Sequence, residues 1–279
     1  MNTKHRSIGL FFIIALIIGL VLFRPKMMDD KKFAAEQPAV VPTLFVHGYK
    51  GSERSFSTML SRMSDQQWGE KMLVCRVSKN GRISLKGTLS EEKDNPFIQV
   101  IFENNRARIN DQTKWLQNIM KILKDRYNVH EINLVGHSMG GLALTNYLET
   151  VNGHESYPKT LKLVTIGSPF KGIDHEDYFE LNYGEALKDL RVGSIGLRLL
   201  IDNKESFPAN IKVLSIVGVI SDPSTGDGLV SQQSALGNRD IVKQDQFNEV
   251  TIHDQKATHF GLHEHLYVDQ LIAEFLWEQ

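Results

Sequence analysis

The stretch LVGHSMGGLAL, residues 134–144, contains the pattern Gly-x-Ser-x-Gly centred on Ser138. Apolar residues before the serine predict a strand and the residues after it predict a helix, so the serine lies at a sharp strand-to-helix turn. Such a turn crowds the positions two before and two after the serine, where Gly136 and Gly140 have no Cβ atom to clash. It exposes the hydroxyl group above the sheet, beside helix N–H groups that favour negative charge. We therefore expect Ser138 to be a nucleophile.

Strand and helix signals alternate on both sides of this turn. Short apolar runs predict buried strands, and apolar residues between them recur at helical spacing. This alternation predicts an α/β fold with a mostly parallel sheet flanked by helices. The predicted strands are residues 43–48, 71–78, 95–104, 131–138, 161–169, 211–220 and 247–253, with an Asn-Gly hairpin turn at 80–81 and a closing helix at 265–278. Residues 174–210 depart from the alternation: they are interpreted either as an inserted lid or cap, or as a plain pair of surface helices.

An oxyanion that develops near the serine needs two backbone N–H donors. The residue after the nucleophile, Met139, offers one. The other is expected from the loop after an earlier strand. FVHGYKG (45–51) fits, because Gly48 lets the backbone approach closely and Tyr49 follows it with an N–H. His47 is interpreted as packing beneath this loop and orienting it, rather than as a base or metal ligand.

The stretch SDPSTGDGLV (221–230) contains two candidates for the acid of a triad. The acid is expected between the serine and the histidine in chain order. Asp227 is preferred, because its tight Gly-Asp-Gly loop can present a carboxylate to an imidazole. Asp222 precedes Pro223 and is typical of a turn, and it stays open as the alternative acid.

The base is expected last in the chain, and THFGLHEHL (258–266) contains three histidines. His259 is preferred because it lies in the loop before the closing helix. His263 is the alternative. With His265 it is expected to begin that helix, whose positive N-terminus would lower the pKa of His263 and weaken it as a base. His259 and His263 are four residues apart, but without a third convergent ligand no metal is expected, and the chemistry requires no organic cofactor.

The bulk composition is that of an ordinary globular protein. The chain has 279 residues, a formal net charge of −1 and 41% hydrophobic residues. No basic run or basic–aromatic stripe points to nucleic acid. Cys75 is the only cysteine, so an internal disulfide is excluded, and it is expected to be a small buried residue of a strand.

The N-terminal sequence predicts a membrane anchor. Residues 8–23, IGLFFIIALIIGLVLF, contain no charged or polar side chain. As a helix they cover roughly 24 Å of an apolar bilayer core about 30 Å thick. No small-residue cleavage pattern follows the run, which favours an uncleaved signal anchor at residues 1–27. A linker (28–40) and a globular domain (41–279) are expected to follow it, with the domain outside the cytoplasm. Secretion after cleavage is the alternative.

The preferred serine, aspartate and histidine in this order, with His-Gly-Tyr upstream, resemble the alpha/beta-hydrolase superfamily. The closer resemblance covers roughly residues 40–279 and is to the bacterial membrane-anchored cell-surface alpha/beta-hydrolases, a family of formerly unknown function. The stretches that carry it are FVHGYKGSERSF, NPFIQVIFENN, LVGHSMGGLALTNYL, IGSPFKGI, GDGLVSQQSA and HFGLHE. The Gly-Asp-Gly-Leu-Val element is also similar to that of bacterial lipases, which place their acid at this aspartate, and this supports Asp227. Lys50 departs from the family pattern, but the donor at Tyr49 is backbone and is unaffected.

The resemblance implies a carboxylesterase that acts on short acyl esters through Ser138, Asp227 and His259, with the N–H groups of Tyr49 and Met139 as the oxyanion hole. It implies a small-molecule ester as substrate and a catalytic domain at the cell surface. A lipase or acyltransferase would use the same triad. The alternative from another class is a catalytically silent surface protein that keeps the fold for binding, although such a protein has no need of a complete triad. The natural ester and the oligomeric state stay open.

Overall fold

The computed structural model describes residues 41–90 and 94–277. The predicted anchor (1–27) and linker (28–40) lie outside these residues. Within the described part of the chain, no helix combines the length and the apolar character that crossing a bilayer requires.

The described residues form an eight-stranded sheet in the order β3-β2-β4-β1-β5-β6-β7-β8. The strands are β1 (Thr43–Val46), β2 (Glu70–Val77), β3 (Ile83–Gly87), β4 (Pro96–Phe102), β5 (Glu131–His137), β6 (Lys159–Ile166), β7 (Lys212–Val219) and β8 (Phe247–His253). Neighbours are parallel, except that β3 runs antiparallel to β2. The predicted turn at Asn80 and Gly81 joins these two strands, and Gly81 has the positive φ of 79° that such turns require. The predicted α/β fold with a mostly parallel sheet is confirmed.

Helices cover both faces of this sheet. They are α1 (Arg54–Asp65), α2 (Ile109–Tyr127), α3 (Met139–Val151), α4 (Glu176–Glu180), α5 (Leu187–Leu190), α6 (Ile195–Asp202), α7 (Gln232–Ala235) and α8 (Leu266–Leu276). Because side chains alternate along a strand, Leu44 and Val46 join the core that contains α2 and α3, whereas Phe45 joins the core that contains α1 and α8. Strands β4, β5 and β7 are thus buried on both faces, which explains their nearly continuous apolar sequences. Cys75 of β2 is fully buried, as predicted.

The insertion at residues 174–210 lies between β6 and β7 and contains α4, α5 and α6. Several of its apolar side chains, including Leu190 and Leu200, belong to the same core as α2 and α3. The buried Asp189 pairs with Arg108 and accepts a hydrogen bond of 2.9 Å from the N–H of Ile109, the first residue of α2. The insertion is therefore fastened to the domain at the N-terminus of α2. Its large exposed apolar side chains are Leu181, Tyr183, Val192, Ile195 and Leu199.

The parallel strands bring several loops to one edge of the sheet. The carboxyl ends of parallel strands meet there, which is where open α/β sheets bind ligands. Tyr49 follows β1, Ser138 follows β5, Asp227 follows β7 and His259 follows β8. Residues far apart in the sequence are thereby placed at one site.

Candidate active site

Ser138 lies at a strained turn between β5 and α3. Its φ of 53° and ψ of −127° are unusual for a residue with a side chain. The predicted reason for the flanking glycines is confirmed. A Cβ at Gly136 would lie 2.5 Å from the Gly141 nitrogen, and one at Gly140 would lie 2.2 Å from the Val46 carbonyl oxygen. Backbone strain of this kind persists only where the surrounding structure imposes it, and it is concentrated at functional sites.

Replacing Gly140 with alanine is expected to lower the free energy of unfolding by about 3 kcal/mol, because the methyl group would overlap a strand carbonyl that cannot move away. Gly153→Ala is the control. Gly153 has a φ of 71° and no atom within 4 Å of a Cβ built there, so alanine costs only backbone strain of about 1–2 kcal/mol. Urea denaturation measures both variants. Equal losses would contradict the close approach at Gly140.

Ser138, His259 and Asp227 form one chain of hydrogen bonds. The Ser138 Oγ lies 2.9 Å from the His259 Nε2, and the His259 Nδ1 lies 2.8 Å from the Asp227 Oδ2. All three side chains are buried. A carboxylate only accepts hydrogen bonds, so the Nδ1–H of His259 donates to Asp227 and its Nε2 accepts from the serine hydroxyl. In this arrangement an imidazole can take the hydroxyl proton as the oxygen attacks a carbonyl carbon.

Backbone groups fix the aspartate beside the histidine. The Asp227 Oδ1 accepts hydrogen bonds from the N–H groups of Leu229 (3.0 Å) and Val230 (2.7 Å). The N–H of His259 donates to the Asp227 carbonyl oxygen at 2.9 Å. The Oδ1 of Asp227 thus binds backbone N–H groups, and its Oδ2 binds the imidazole of His259. Asp227 and His259 are therefore joined through both backbone and side chain.

His137, which the sequence analysis did not single out, also holds His259. Its Nε2–H donates to the His259 carbonyl oxygen at 2.8 Å, and the two ring centroids are 4.9 Å apart. Burial is the main cause that lowers the pKa of His137 well below its usual value, so the ring is neutral at neutral pH. The position of His137 directly before Ser138 was the available signal, but the Gly-x-Ser-x-Gly motif does not indicate which group the His137 side chain contacts.

The alternative acid, Asp222, lies in an exposed turn. Its Oδ1 accepts a hydrogen bond of 2.7 Å from the N–H of Ser224, as well as one from the hydroxyl of that serine. These hydrogen bonds lower the pKa of the Asp222 carboxyl. The carboxylate of Asp222 therefore accepts hydrogen bonds from its own turn, as aspartate side chains do in Asx turns.

The other two histidines make their own contacts. His263 lies in the 3₁₀ turn Leu262–Glu264, and its Nδ1 is 3.0 Å from the Glu264 Oε1. His265 caps α8 by accepting a hydrogen bond from a backbone N–H of its first turn. The prediction that both residues begin the closing helix was wrong, because α8 starts at Leu266. Burial, rather than a helix N-terminus, is the main cause that lowers the pKa of His263.

The loop after β1 lies against Ser138. A Cβ at Gly48 would lie 2.7 Å from the Ser138 Cβ, so only glycine allows this approach. His47 lies beneath the loop, where its Nδ1–H donates to the Gly48 carbonyl oxygen (2.9 Å) and its Nε2 accepts from the N–H of Phe102 (3.0 Å). Burial lowers the pKa of His47 to about 4. The ring is therefore neutral and provides the one donor and one acceptor that these contacts need.

The two expected oxyanion donors are the N–H groups of Tyr49, which follows Gly48, and Met139, which follows Ser138. Met139 is the first residue of α3, where a backbone N–H has no partner within the helix. Among residues 41–90 and 94–277, neither N–H takes part in a backbone hydrogen bond outside the regular elements. The expectation that both groups donate to a ligand oxygen therefore stays a prediction.

Ser138 and His259 line a cavity of about 330 Å³. Its wall includes four side chains that the sequence analysis missed: Tyr178, Asn182, Leu229 and Phe260. The first two come from the insertion, which agrees with its interpretation as a cap. No motif marks Tyr178 and Asn182, because the packing of the insertion decides which of its residues face the cavity. Within the described ranges, no three His, Cys, Asp or Glu side chains converge as metal ligands would.

The sequence matches a known family over most of its length. The family described as "Alpha/beta hydrolase of unknown function (DUF915)" matches residues 30–279. The chain belongs to this family. The fold described above is the one that this family description names, so the predicted membership of the alpha/beta-hydrolases is confirmed. No curated protein sequence matches the chain.

Solved structures agree with the family assignment. The product of the Listeria innocua gene lin2722 has a TM-score of 0.75 and 30% sequence identity, over 86% of this chain and 95% of that chain. A candidate cell surface hydrolase from Lactobacillus plantarum has a TM-score of 0.66 and 25% identity, over 85% of this chain and 90% of that chain. The mature lipase BlEst2 of Bacillus licheniformis, at 18% identity and a TM-score of 0.57 over 87% of this chain and 94% of that chain, is similar in fold alone.

Proposed function

We propose that this alpha/beta hydrolase is a serine hydrolase that cleaves carboxylic esters with short acyl groups. The observation that carries the proposal is the unbroken chain of hydrogen bonds from Asp227 through His259 to Ser138 at the cavity wall. The cavity volume of about 330 Å³ is near the lower end of the range for ligand sites, which favours a small acyl group.

In this mechanism the Ser138 Oγ attacks the ester carbonyl carbon while the His259 Nε2 takes the hydroxyl proton. Asp227 orients the imidazole and stabilises the imidazolium. The N–H groups of Tyr49 and Met139 donate to the oxyanion of the tetrahedral intermediate. The imidazolium then protonates the leaving alcohol, and an acyl-enzyme forms on the serine. Water then attacks the acyl carbonyl carbon while the His259 Nε2 takes its proton. The imidazolium returns this proton to the Ser138 Oγ as the carbon–oxygen bond to the serine breaks and the acid leaves.

A binding protein without catalysis is the competing function, and two features disfavour it. A protein that only binds a ligand does not need a positive φ at Ser138. Nor does it need the buried carboxylate of Asp227 beside the imidazole of His259. Both features cost stability, and catalysis gives a reason to retain them that binding alone does not.

A fluorophosphonate probe and a series of nitrophenyl esters test the proposal on the full-length protein. We expect the probe to label the serine, and kcat/KM to be largest for acetate or butyrate and to fall towards palmitate, because a small cavity excludes a long acyl chain. Ser138→Ala is the control for labelling. Folded protein that neither labels nor turns over any of these esters would favour the binding function.

Esters of lipids are the second candidate substrate, favoured by exposed apolar side chains beside the cavity. Phe260 of the cavity wall is 66% exposed, and Leu181 and Tyr183, on either side of the wall residue Asn182, are 82% and 69% exposed. Exposed apolar groups beside a site are typical of surfaces that bind lipids or apolar ligands. An optimum at decanoate or a longer ester in the same series would favour a lipase.

We also propose that residues 1–27 anchor the protein in the membrane, with the catalytic domain outside the cytoplasm. The support is the uncharged apolar run at residues 8–23. In the labelling experiment, the labelled full-length protein should sediment with washed membranes, and a variant without residues 1–27 should stay soluble. A mature chain that begins after the apolar run would instead indicate a cleaved signal peptide.

A further inference from the structure

The oxyanion loop is attached to the insertion through a tyrosine side chain. The Tyr49 hydroxyl donates a hydrogen bond of 2.6 Å to the Tyr183 carbonyl oxygen and accepts one of 3.2 Å from the Tyr183 N–H. Tyr49 is buried, whereas Tyr183 is exposed. The insertion thus makes this contact with backbone groups, and Tyr49 makes it with its side-chain hydroxyl.

Arg106, which follows β4, contacts both tyrosines. Its Cζ lies 4.5 Å from the ring centroid of Tyr183 and 5.9 Å from that of Tyr49, within the range of cation–π contacts. Its carbonyl oxygen accepts a hydrogen bond of 2.9 Å from the N–H of Ala186 in the insertion. A Cβ at Gly184 would lie 2.7 Å from the Arg106 Cβ. Side chain and backbone of Arg106 therefore both pack against the insertion.

The neighbouring Asn105 holds the other side of the oxyanion loop. Its carbonyl oxygen accepts from the Lys50 N–H at 2.9 Å, and its Nδ2 donates to the Gly51 carbonyl oxygen at 2.8 Å. Arg106 in turn donates from Nη1 to the Asn105 Oδ1 at 3.1 Å. Lys50 has a positive φ of 60°, which is strained for a lysine and persists only where neighbours hold the loop.

We infer that the Tyr49 hydroxyl and the Arg106 guanidinium are positioning groups that fasten the oxyanion loop to the insertion and so fix the N–H of Tyr49 beside Ser138. This inference rests on the proposed function. The insertion is a firm support, because Asp189 attaches it to the N-terminus of α2. Tyr49 then has two functions: its backbone donates to the oxyanion, and its side chain keeps that donor in place. Donors act on an oxyanion only when they are held at hydrogen-bond distance, so a loosened loop weakens transition-state binding.

The variant Tyr49→Phe tests this inference, because it removes the hydroxyl and keeps the ring and the N–H. Loss of an entire oxyanion donor costs about 10²–10³ in kcat, so a donor that remains but is less well held should cost about tenfold. We expect this loss in kcat with little change in KM, by the same factor for acetate and butyrate esters. The affinity for a trifluoromethyl ketone, whose adduct with the serine carries an oxyanion, should fall in parallel.

Arg106→Lys is the second variant and keeps the charge but not the planar guanidinium. It should reproduce the pattern of Tyr49→Phe, and it decides the question if Tyr49→Phe does not fold. Arg191→Lys is the matched control. The Arg191 Cζ lies 4.1 Å from the Phe179 ring centroid in the same insertion, and the Arg191 guanidinium pairs with Glu176. Because these contacts do not include the oxyanion loop, Arg191→Lys should leave kcat and ketone affinity unaltered.

Two results would overturn the inference. Unchanged ketone affinity in both folded variants would show that the contacts do not position the donor. A loss that grows with acyl length would show that the hydroxyl acts on the acyl group instead. Failure of the unmodified protein to bind the ketone or react with the fluorophosphonate would overturn the proposed function itself, and is distinguished by occurring before any substitution.

Discussion

Ser138→Ala is expected to lower kcat for ester hydrolysis about 10⁶-fold, the loss typical of removing a triad nucleophile. In the proposed mechanism the hydroxyl oxygen forms the acyl-enzyme, and among the described residues no other hydroxyl lies within hydrogen-bond distance of the His259 Nε2. Steady-state kinetics with a nitrophenyl ester measures the loss, and labelling by the fluorophosphonate should disappear as well.

The fold should survive this substitution, so the loss can be assigned to chemistry. The Ser138 side chain makes no capping hydrogen bond to α3, and among the described residues it hydrogen-bonds to His259. Alanine has nearly the same size and meets the same backbone strain at a φ of 53°. The melting temperature should therefore stay within a few degrees of that of the unmodified protein. A folded alanine variant with more than a small fraction of the original turnover would contradict the mechanism.

The fold could be predicted from sequence because its signals are local. The run before Ser138 is apolar because β5 is buried, and Gly140 is a glycine because the Val46 backbone lies close to it. Both constraints therefore restrict the type of residue at each position. The order of the serine, aspartate and histidine along the chain was likewise visible in short motifs. Patterns of this kind can be recognised in a sequence without knowledge of the tertiary contacts.

The rest of the candidate site depends on contacts between distant segments. The hydrogen bond from His137 to the His259 carbonyl joins residues 122 positions apart, and that from Tyr49 to Tyr183 joins residues 134 positions apart. Nothing in the local sequence of either partner requires the other. The start of the closing helix was misplaced for a different, local reason: His265 was expected inside the helix, whereas it precedes the helix and its ring caps the first turn of α8.

Two histidine variants should differ in kcat by a factor of about 10³ or more. His259→Ala is expected to lose about 10⁴-fold or more in kcat, because the proposed mechanism has no second base to take the hydroxyl proton. The ring of His259 is the one that contacts both Ser138, at 2.9 Å, and Asp227, at 2.8 Å. The asymmetry follows from these distances, since a general base must reach the proton that it abstracts.

His263→Ala should cost tenfold at most, because its ring supports the site without reaching the serine. The ring centroid lies 5.0 Å from that of His137, and the Nδ1 contacts Glu264. The His263 carbonyl oxygen accepts a hydrogen bond of 3.1 Å from Arg62, and alanine keeps this contact. The loss is thus limited to packing beside the cavity. Steady-state kinetics of the two variants, with melting temperatures as the folding check, measures the difference. An inactive His263→Ala together with a nearly intact His259→Ala would refute His259 as the base, and would leave the nucleophile to be paired with a different imidazole.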